Sequence, residues 1–155
     1  MLRRATLYET PSVERLETAN AFFDVLLPKP PERSAELDWR VEKLQAFIYC
    51  HPGGVRRSID NICRYLKLPV SERHARRLFK AATGMGIRDY VVRRRLTCAV
   101  ERLQQTNTPI KVIAADLGYE KTGHLSRSFK KFFRLGPVEF RRMWRRQQAE
   151  QETPS

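Results

Sequence analysis

The sequence has few cysteines and no long apolar run, and each shortage excludes a class of protein. Cys50, Cys63 and Cys98 are odd in number and form no CxxC pair, so we expect neither a disulfide framework nor a zinc site. Nowhere do about 18 apolar residues follow one another, and no signal-peptide run follows the first residues. We therefore expect a cytoplasmic protein without a membrane segment.

Acidic residues are also scarce, and they are unevenly spread. Thirty Lys and Arg residues stand against 17 Asp and Glu residues, which gives a net charge of +13. Residues 1–36 carry a net charge of −1, whereas the residues from Leu37 onward carry +14. A surface of this charge favours a polyanionic partner, bound by the later part of the chain.

Apolar residues recur at helical spacing from Leu37 onward, and no stretch alternates with the period of a strand, so the predicted fold is all-α. The pattern predicts a first helix over Leu37–His51, N-caps at Ser58 and Ser71, and a helix from Ile87 to about Gln105. Residues 37–146 thus form a predicted seven-helix domain, with two helix-turn-helix units at 58–83 and 109–133 joined by helix 87–105. Residues 1–36 are predicted to form an extension, with a short amphipathic helix over Ser12–Leu27 and a proline-rich linker, and residues 147–155 a frayed polar tail.

The two helix-turn-helix units are copies of each other. The offset between the copies is 51 residues ahead of the turn and 50 beyond it. It pairs Ile59 with Ile110, Leu66 with Leu117, His74 with His124, Arg77 with Arg127, Phe79 with Phe129, and Tyr90 with Phe140. In the later copy Ala114 and Gly118 suit a tight turn, because a small residue permits close helix approach and glycine permits a positive φ.

Basic side chains are predicted on the outer face of the second helix in each copy. The third helix packs inward through Ala75, Leu78, Phe79 and Ala82, and the sixth through Leu125, Phe129 and Phe132. This leaves outward, on the third helix, Arg73, Arg76, Arg77 and Lys80, and on the sixth, Gly123, His124, Arg127 and Lys131. Because guanidinium groups bond guanine bidentately and the major groove admits a helix, we predict two recognition helices for double-stranded DNA.

The ordered residues of this region resemble the AraC/XylS family of bacterial transcription regulators, over Leu37 to about Arg146. The matching residues are Ser71, His74, Arg77, Phe79, Lys80, Gly84, Tyr90, Arg95, Leu96, Ala99, Ile110, Ile113, Ala114, Leu117, Gly118, Tyr119, Leu125, Arg127, Phe129, Lys130, Pro137, Phe140 and Arg141. The resemblance implies a bipartite DNA-binding domain that activates promoters by contacting RNA polymerase. It implies base contacts at Arg73, Arg76 and Arg77 and at Thr122, Gly123 and Arg127.

Three positions depart from the family pattern. Gly123 stands where a polar residue is common, Ala75 where leucine is common, and Arg134 where glycine or a small polar residue is common. The glycine leaves Arg127 as the expected main anchor of the second unit. The extension of 36 residues is too short for an effector domain, so we expect no small-molecule sensor. We also expect no cofactor. The extension helix resembles a dimerisation segment, which leaves a homodimer open.

An enzyme, a metal-binding protein and a non-specific nucleic-acid-binding protein are the other interpretations of this sequence. No nucleophile, base and orienting group form a recognisable motif, and Cys50 beside His51 is too small a ligand set, so we expect no catalytic residue and no metal. A non-specific nucleoid-type or RNA-binding protein remains an alternative, because the charge alone permits it. Arg95 is predicted to be structural, whereas phosphate contact and simple solvation both stay open for Arg93, Arg94 and the cluster from Arg141 to Arg146.

Overall fold

The computed structural model describes residues 37–55 and 58–152. In these ranges the chain forms seven α-helices and no strand, which confirms the all-α prediction. The helices are α1 (Trp39–Cys50), α2 (Ile59–Tyr65), α3 (Glu72–Thr83), α4 (Ile87–Gln105), α5 (Ile110–Asp116), α6 (Thr122–Phe133) and α7 (Pro137–Glu152), and a short 3₁₀ turn, Pro52–Gly54, follows α1. The extension helix predicted over Ser12–Leu27 lies outside the described residues.

The described chain divides into two compact units, and the division falls within α4 between Arg95 and Leu96. Local capping explains where the helices of the first unit begin. The carboxylate of Asp38 accepts a hydrogen bond from the Arg40 backbone N–H at 2.9 Å, so α1 begins two residues later than predicted. The predicted caps at Ser58 and Ser71 are confirmed, because each hydroxyl accepts a backbone N–H in the first turn of its helix.

The first unit has one apolar core, built by α1 to α3 and the first half of α4. Its buried members are Val41, Leu44, Ile48, Ile59, Ile62, Cys63, Leu68, Ala75, Phe79, Ile87, Tyr90 and Val91. The rings of Phe79 and Tyr90 meet edge to face, with centroids 5.2 Å apart. Ala82 was predicted to face inward but is exposed, because the buried stripe of α3 ends at Phe79 and the last turn of the helix extends past the core.

The second unit repeats this packing with different side chains. Phe129 of α6 and Phe140 of α7 meet edge to face at 5.5 Å, at the repeat positions of Phe79 and Tyr90. The buried stripe of α6 runs through Leu125, Phe129 and Phe133. Phe132, which was predicted to share that stripe, is only partly buried, because the buried residues follow each other at intervals of four.

The last helix is longer than the sequence predicted. The tail from Gln147 was expected to be frayed, but α7 continues to Glu152. Gln147 itself is only 9% exposed. For residues 147–152 the prediction was wrong, because a polar composition gave no sign that Gln147 packs against the unit; residues 153–155 lie outside the described part of the chain.

The tight turns of the two units share a backbone conformation, although the residues at the turn differ. Gly118 has a φ of 87°, which confirms the predicted positive φ, and Lys67, at the same repeat position, has a φ of 55°. At the C-terminal ends of α3 and α6, Gly84 has a φ of 71° and Arg134 a φ of 62°. Each unit therefore holds one glycine and one non-glycine residue in the left-handed region, which favours glycine.

Candidate nucleic-acid interface

The outer face of α3 is strongly basic. Arg73, Arg76, Arg77 and Lys80 are all exposed, while Ala75 and Phe79 are buried on the inner side. Burial of the inner residues fixes the rotation of the helix, and this rotation presents the four basic side chains to solvent together. The exposure predicted for these residues from helical spacing is confirmed, whereas their contact with DNA stays a prediction.

A shallow concavity lies at the beginning of α3. Ser71, Arg73, His74 and Arg77 line a volume of about 230 Å³. Arg77 donates a hydrogen bond from Nη2 to Nδ1 of His74 at 2.9 Å, so the repeated histidine orients the repeated arginine in this unit. The N–H groups and the positive dipole of a helix N-terminus favour anions, and the two arginines add to that preference.

The outer face of α6 is basic toward its C-terminal end and nearly bare toward its beginning. Gly123, His124, Arg127 and Lys131 are exposed as predicted, and Thr122 is partly buried. No side chain caps α6 at Lys121, in contrast to Ser71 at α3. Arg127 leans back along the helix, with Nε 3.4 Å from the Gly123 carbonyl oxygen.

One further basic residue belongs to this face, although helical spacing did not place it among the predicted contact residues. Lys130 is exposed on α6, next to the predicted Lys131. The repeat pairs Lys130 with Lys80, which was included among the predicted residues, so the repeat itself held the missing signal. The charged residues of α6 are Arg127, Lys130 and Lys131, and the helix contains no acidic residue.

Several other arginines point into the protein and do not form part of this face. In the first unit, Arg95 donates from Nε to the Pro52 carbonyl at 3.0 Å and from Nη2 to the Val55 carbonyl at 3.2 Å, which confirms its predicted structural role. Arg94 donates to the Tyr49 carbonyl at 3.0 Å, and its guanidinium lies 3.8 Å from the centroid of the Tyr49 ring.

The second unit uses arginines of α7 in the same way. Arg141 donates from Nη2 to the Thr108 carbonyl at 2.6 Å, and Arg145 donates to the side-chain oxygen of Asn107. Burial, followed by the neighbouring Arg145 charge, lowers the pKa of Arg141. These contacts tie α7 to the loop before α5, so of the basic cluster only Arg142 and Arg146 are both exposed and without such a loop contact.

The chemistry available at these surfaces is hydrogen-bond donation and positive charge. Among residues 37–55 and 58–152, no group of three or more His, Cys, Asp or Glu side chains is placed to hold a metal ion. No helix in this part of the chain is both long and apolar enough to cross a membrane. Guanidinium and ammonium groups on an exposed helix face can bind phosphates and the acceptor atoms of guanine.

Comparisons with known proteins agree with this chemistry. The helix-turn-helix domain family matches residues 66–143. The chain is 35% identical over 89 residues to the multiple antibiotic resistance protein MarA of Escherichia coli strain K12. This match covers 53% of this chain and 70% of that protein. The chain is 37% identical over 84 residues to the regulatory protein SoxS of the same strain, covering 54% and 77%. Among solved structures, the C-terminal domain of AraT, a response regulator from Geobacillus stearothermophilus, matches with a TM-score of 0.64 and 26% identity, covering 70% of this chain and 88% of that one.

Proposed function

The chain belongs to the AraC/XylS family of DNA-binding transcription regulators, and on that premise we propose that α3 and α6 read two successive major grooves of one duplex. One observation carries this proposal. An arginine at the same repeat position of each recognition helix, Arg77 or Arg127, is exposed on the side away from the buried Phe79 or Phe129. Each arginine is thus available to bond a guanine edge bidentately.

The length of the joining helix supports a two-groove reading. α4 has 19 residues, which corresponds to a helix of about 28 Å. Successive major grooves on one face of a duplex are about 34 Å apart. A joining helix of this length is therefore of the right order for each unit to reach one groove. Because the two recognition helices differ in sequence, the two half-sites differ as well, and the bound site is asymmetric.

Phosphate contacts supply most of the affinity in this proposal. Other basic residues of these faces, such as Lys80, Lys130 and Lys131, neutralise backbone charge beside each groove. If about six to eight phosphates are neutralised, the logarithm of the affinity falls against the logarithm of the salt concentration with a slope of about −5 to −7. The predicted site residues Arg76, Thr122, Gly123 and His124 complete the surface.

The family resemblance extends the proposal to transcription activation through contact with RNA polymerase. Reporter transcription in the presence of purified polymerase tests this step, because an activator raises and a repressor lowers the transcript level. Association of two chains through Ser12–Leu27 stays a prediction, and removal of residues 1–33 followed by sedimentation tests it.

The reading of two half-sites is tested by selecting duplexes from a random pool and sequencing those that bind. We expect the wild-type protein to enrich two different half-sites one helical turn apart. Arg77→Ala and Arg127→Ala should each cost about 1–3 kcal/mol on the selected duplex and relax preference in different half-sites. Arg146→Ala, which replaces an exposed arginine of α7, is the matched control and should weaken all duplexes about equally or not at all.

The outcomes separate the proposal from its alternatives. Enrichment of no sequence would favour a non-specific nucleoid-type or RNA-binding protein. A perfect palindrome read by two chains would contradict the asymmetric site. Equal weakening of selected and scrambled duplexes by Arg77→Ala and Arg127→Ala would show that the recognition helices are wrongly assigned.

A further inference from the structure

We propose that Glu72 is a specificity-determining residue, which sharpens DNA discrimination by holding Arg76 in one orientation. The inference rests on the proposed function, since it concerns how the first recognition helix presents a DNA-facing arginine. Glu72 is the first residue of α3 and the one acidic residue of that helix. Neither composition nor helical spacing indicated a role for it.

The Glu72 carboxylate uses both of its oxygens. Oε1 accepts hydrogen bonds from Nε and Nη2 of Arg76, at 2.9 and 2.7 Å. Oε2 accepts a hydrogen bond from the backbone N–H of Asp60 at 3.3 Å. One carboxylate therefore connects the guanidinium of Arg76 to the first turn of α2.

The contact with α2 makes this more than an exposed ion pair. Asp60 is the second residue of α2, where a backbone N–H has no partner within its own helix. Glu72 fills that position from another helix, so its carboxylate is fixed by α2 as well as by α3. Arg76 is consequently oriented by two helices, although its side chain is 49% exposed.

The fixed orientation affects affinity and specificity in opposite directions. A free arginine must give up rotamer freedom to adopt one geometry, and part of that cost is already met when Glu72 holds it. A carboxylate at a DNA-facing surface also repels phosphates and competes with DNA for the arginine. The negative charge of Glu72 thus weakens binding to every sequence. The held geometry of Arg76 lowers the cost of binding only at the site that suits it, so the difference in affinity between that site and other sequences becomes larger.

The second unit lacks this arrangement. Thr122 and Ser126 occupy the repeat positions of Glu72 and Arg76, and the Ser126 hydroxyl donates to the Thr122 carbonyl at 3.2 Å. A serine hydroxyl bonded to the backbone of its own helix neither carries charge nor reaches another helix. The base pairs nearest to Arg76 in the first half-site should therefore show a sharper base preference than the corresponding base pairs of the second half-site.

The test compares Glu72→Gln with Asp60→Asn in the full chain, on the selected duplex and on a scrambled one. Asp60 pairs with Arg64 four residues later, so Asp60→Asn removes the same charge from the same kind of pair on α2. Both variants should bind scrambled DNA about two- to fivefold more tightly. Glu72→Gln alone should lower discrimination about three- to tenfold, at the base pairs that Arg76→Ala identifies.

A double variant separates positioning from a general effect on folding. In an Arg76→Ala background, Glu72→Gln should no longer change discrimination, because its effect acts through Arg76. If Glu72→Gln fails to fold by circular dichroism, Glu72→Asp, which is too short to reach both partners, must show the same loss. The inference is overturned if Glu72→Gln retains full discrimination, or if its effect persists without Arg76. A wild-type protein that prefers no sequence would instead overturn the proposed function.

Discussion

The turn of the first helix-turn-helix unit holds a non-glycine residue in a strained backbone conformation, and a substitution there measures the cost of that strain. Lys67 has a φ of 55°, and a non-glycine residue in the left-handed region costs about 1–2 kcal/mol. Lys67→Gly removes that cost but gives the unfolded chain extra freedom of about 0.4–1 kcal/mol. Because Lys67 is exposed, we expect the free energy of unfolding to rise by a net of about 0.5–1 kcal/mol.

The opposite substitution is available in the same unit. Gly84 has a φ of 71°, and a β-carbon built on it meets no atom within 4 Å. The cost of Gly84→Ala is therefore purely conformational, and the free energy of unfolding should fall by about 0.5–1 kcal/mol.

Denaturant unfolding followed by helical circular dichroism measures both effects in one transition. Lys67→Ala is the control, because it keeps the β-carbon and removes only the charged end of an exposed side chain, a change within about 0.5 kcal/mol. If Lys67→Gly were no more stable than Lys67→Ala, the strain argument would be refuted.

Two further predictions concern a buried hydroxyl and a bare helix face. Burial raises the pKa of Tyr90 to about 12, so its ionised form is disfavoured in the native state; the stability linked to Tyr90 is complete below pH 10 and is lost as the pH rises toward 12. Tyr90→Phe should abolish this alkaline loss of up to about 3 kcal/mol, seen in unfolding curves against pH, whereas Tyr65→Phe at a 70% exposed position should not. Gly123→Arg, which copies Arg73 into α6 where a β-carbon meets no atom within 4 Å, should make the salt slope of DNA binding steeper by about one, and an unchanged slope would contradict a DNA-facing position.

The part of the fold that could be predicted is the part encoded by neighbours in sequence. Ser58 and Ser71 cap helices through backbone groups three residues away, and the bounds of α4 agree with the prediction at both ends. The predictions at Ala82 and Gln147 failed because they depended on tertiary packing. Whether a residue near a helix end is buried depends on how far the packed core extends, and helical periodicity carries no information about that.

The sequence by itself determined the all-α fold, the repeat and the exposed basic faces of α3 and α6, because helical periodicity and local capping depend only on residues close together in the chain. The tertiary structure decided what each arginine does. Arg77 and Arg95 are chemically identical, yet one lies exposed beside His74 and the other donates to two loop carbonyls. The hydrogen bond that the Asp60 N–H donates to the Glu72 carboxylate joins residues 12 apart in sequence. A guanidinium binds whichever acceptor the fold brings within about 3 Å, and that placement arises only when the helices pack.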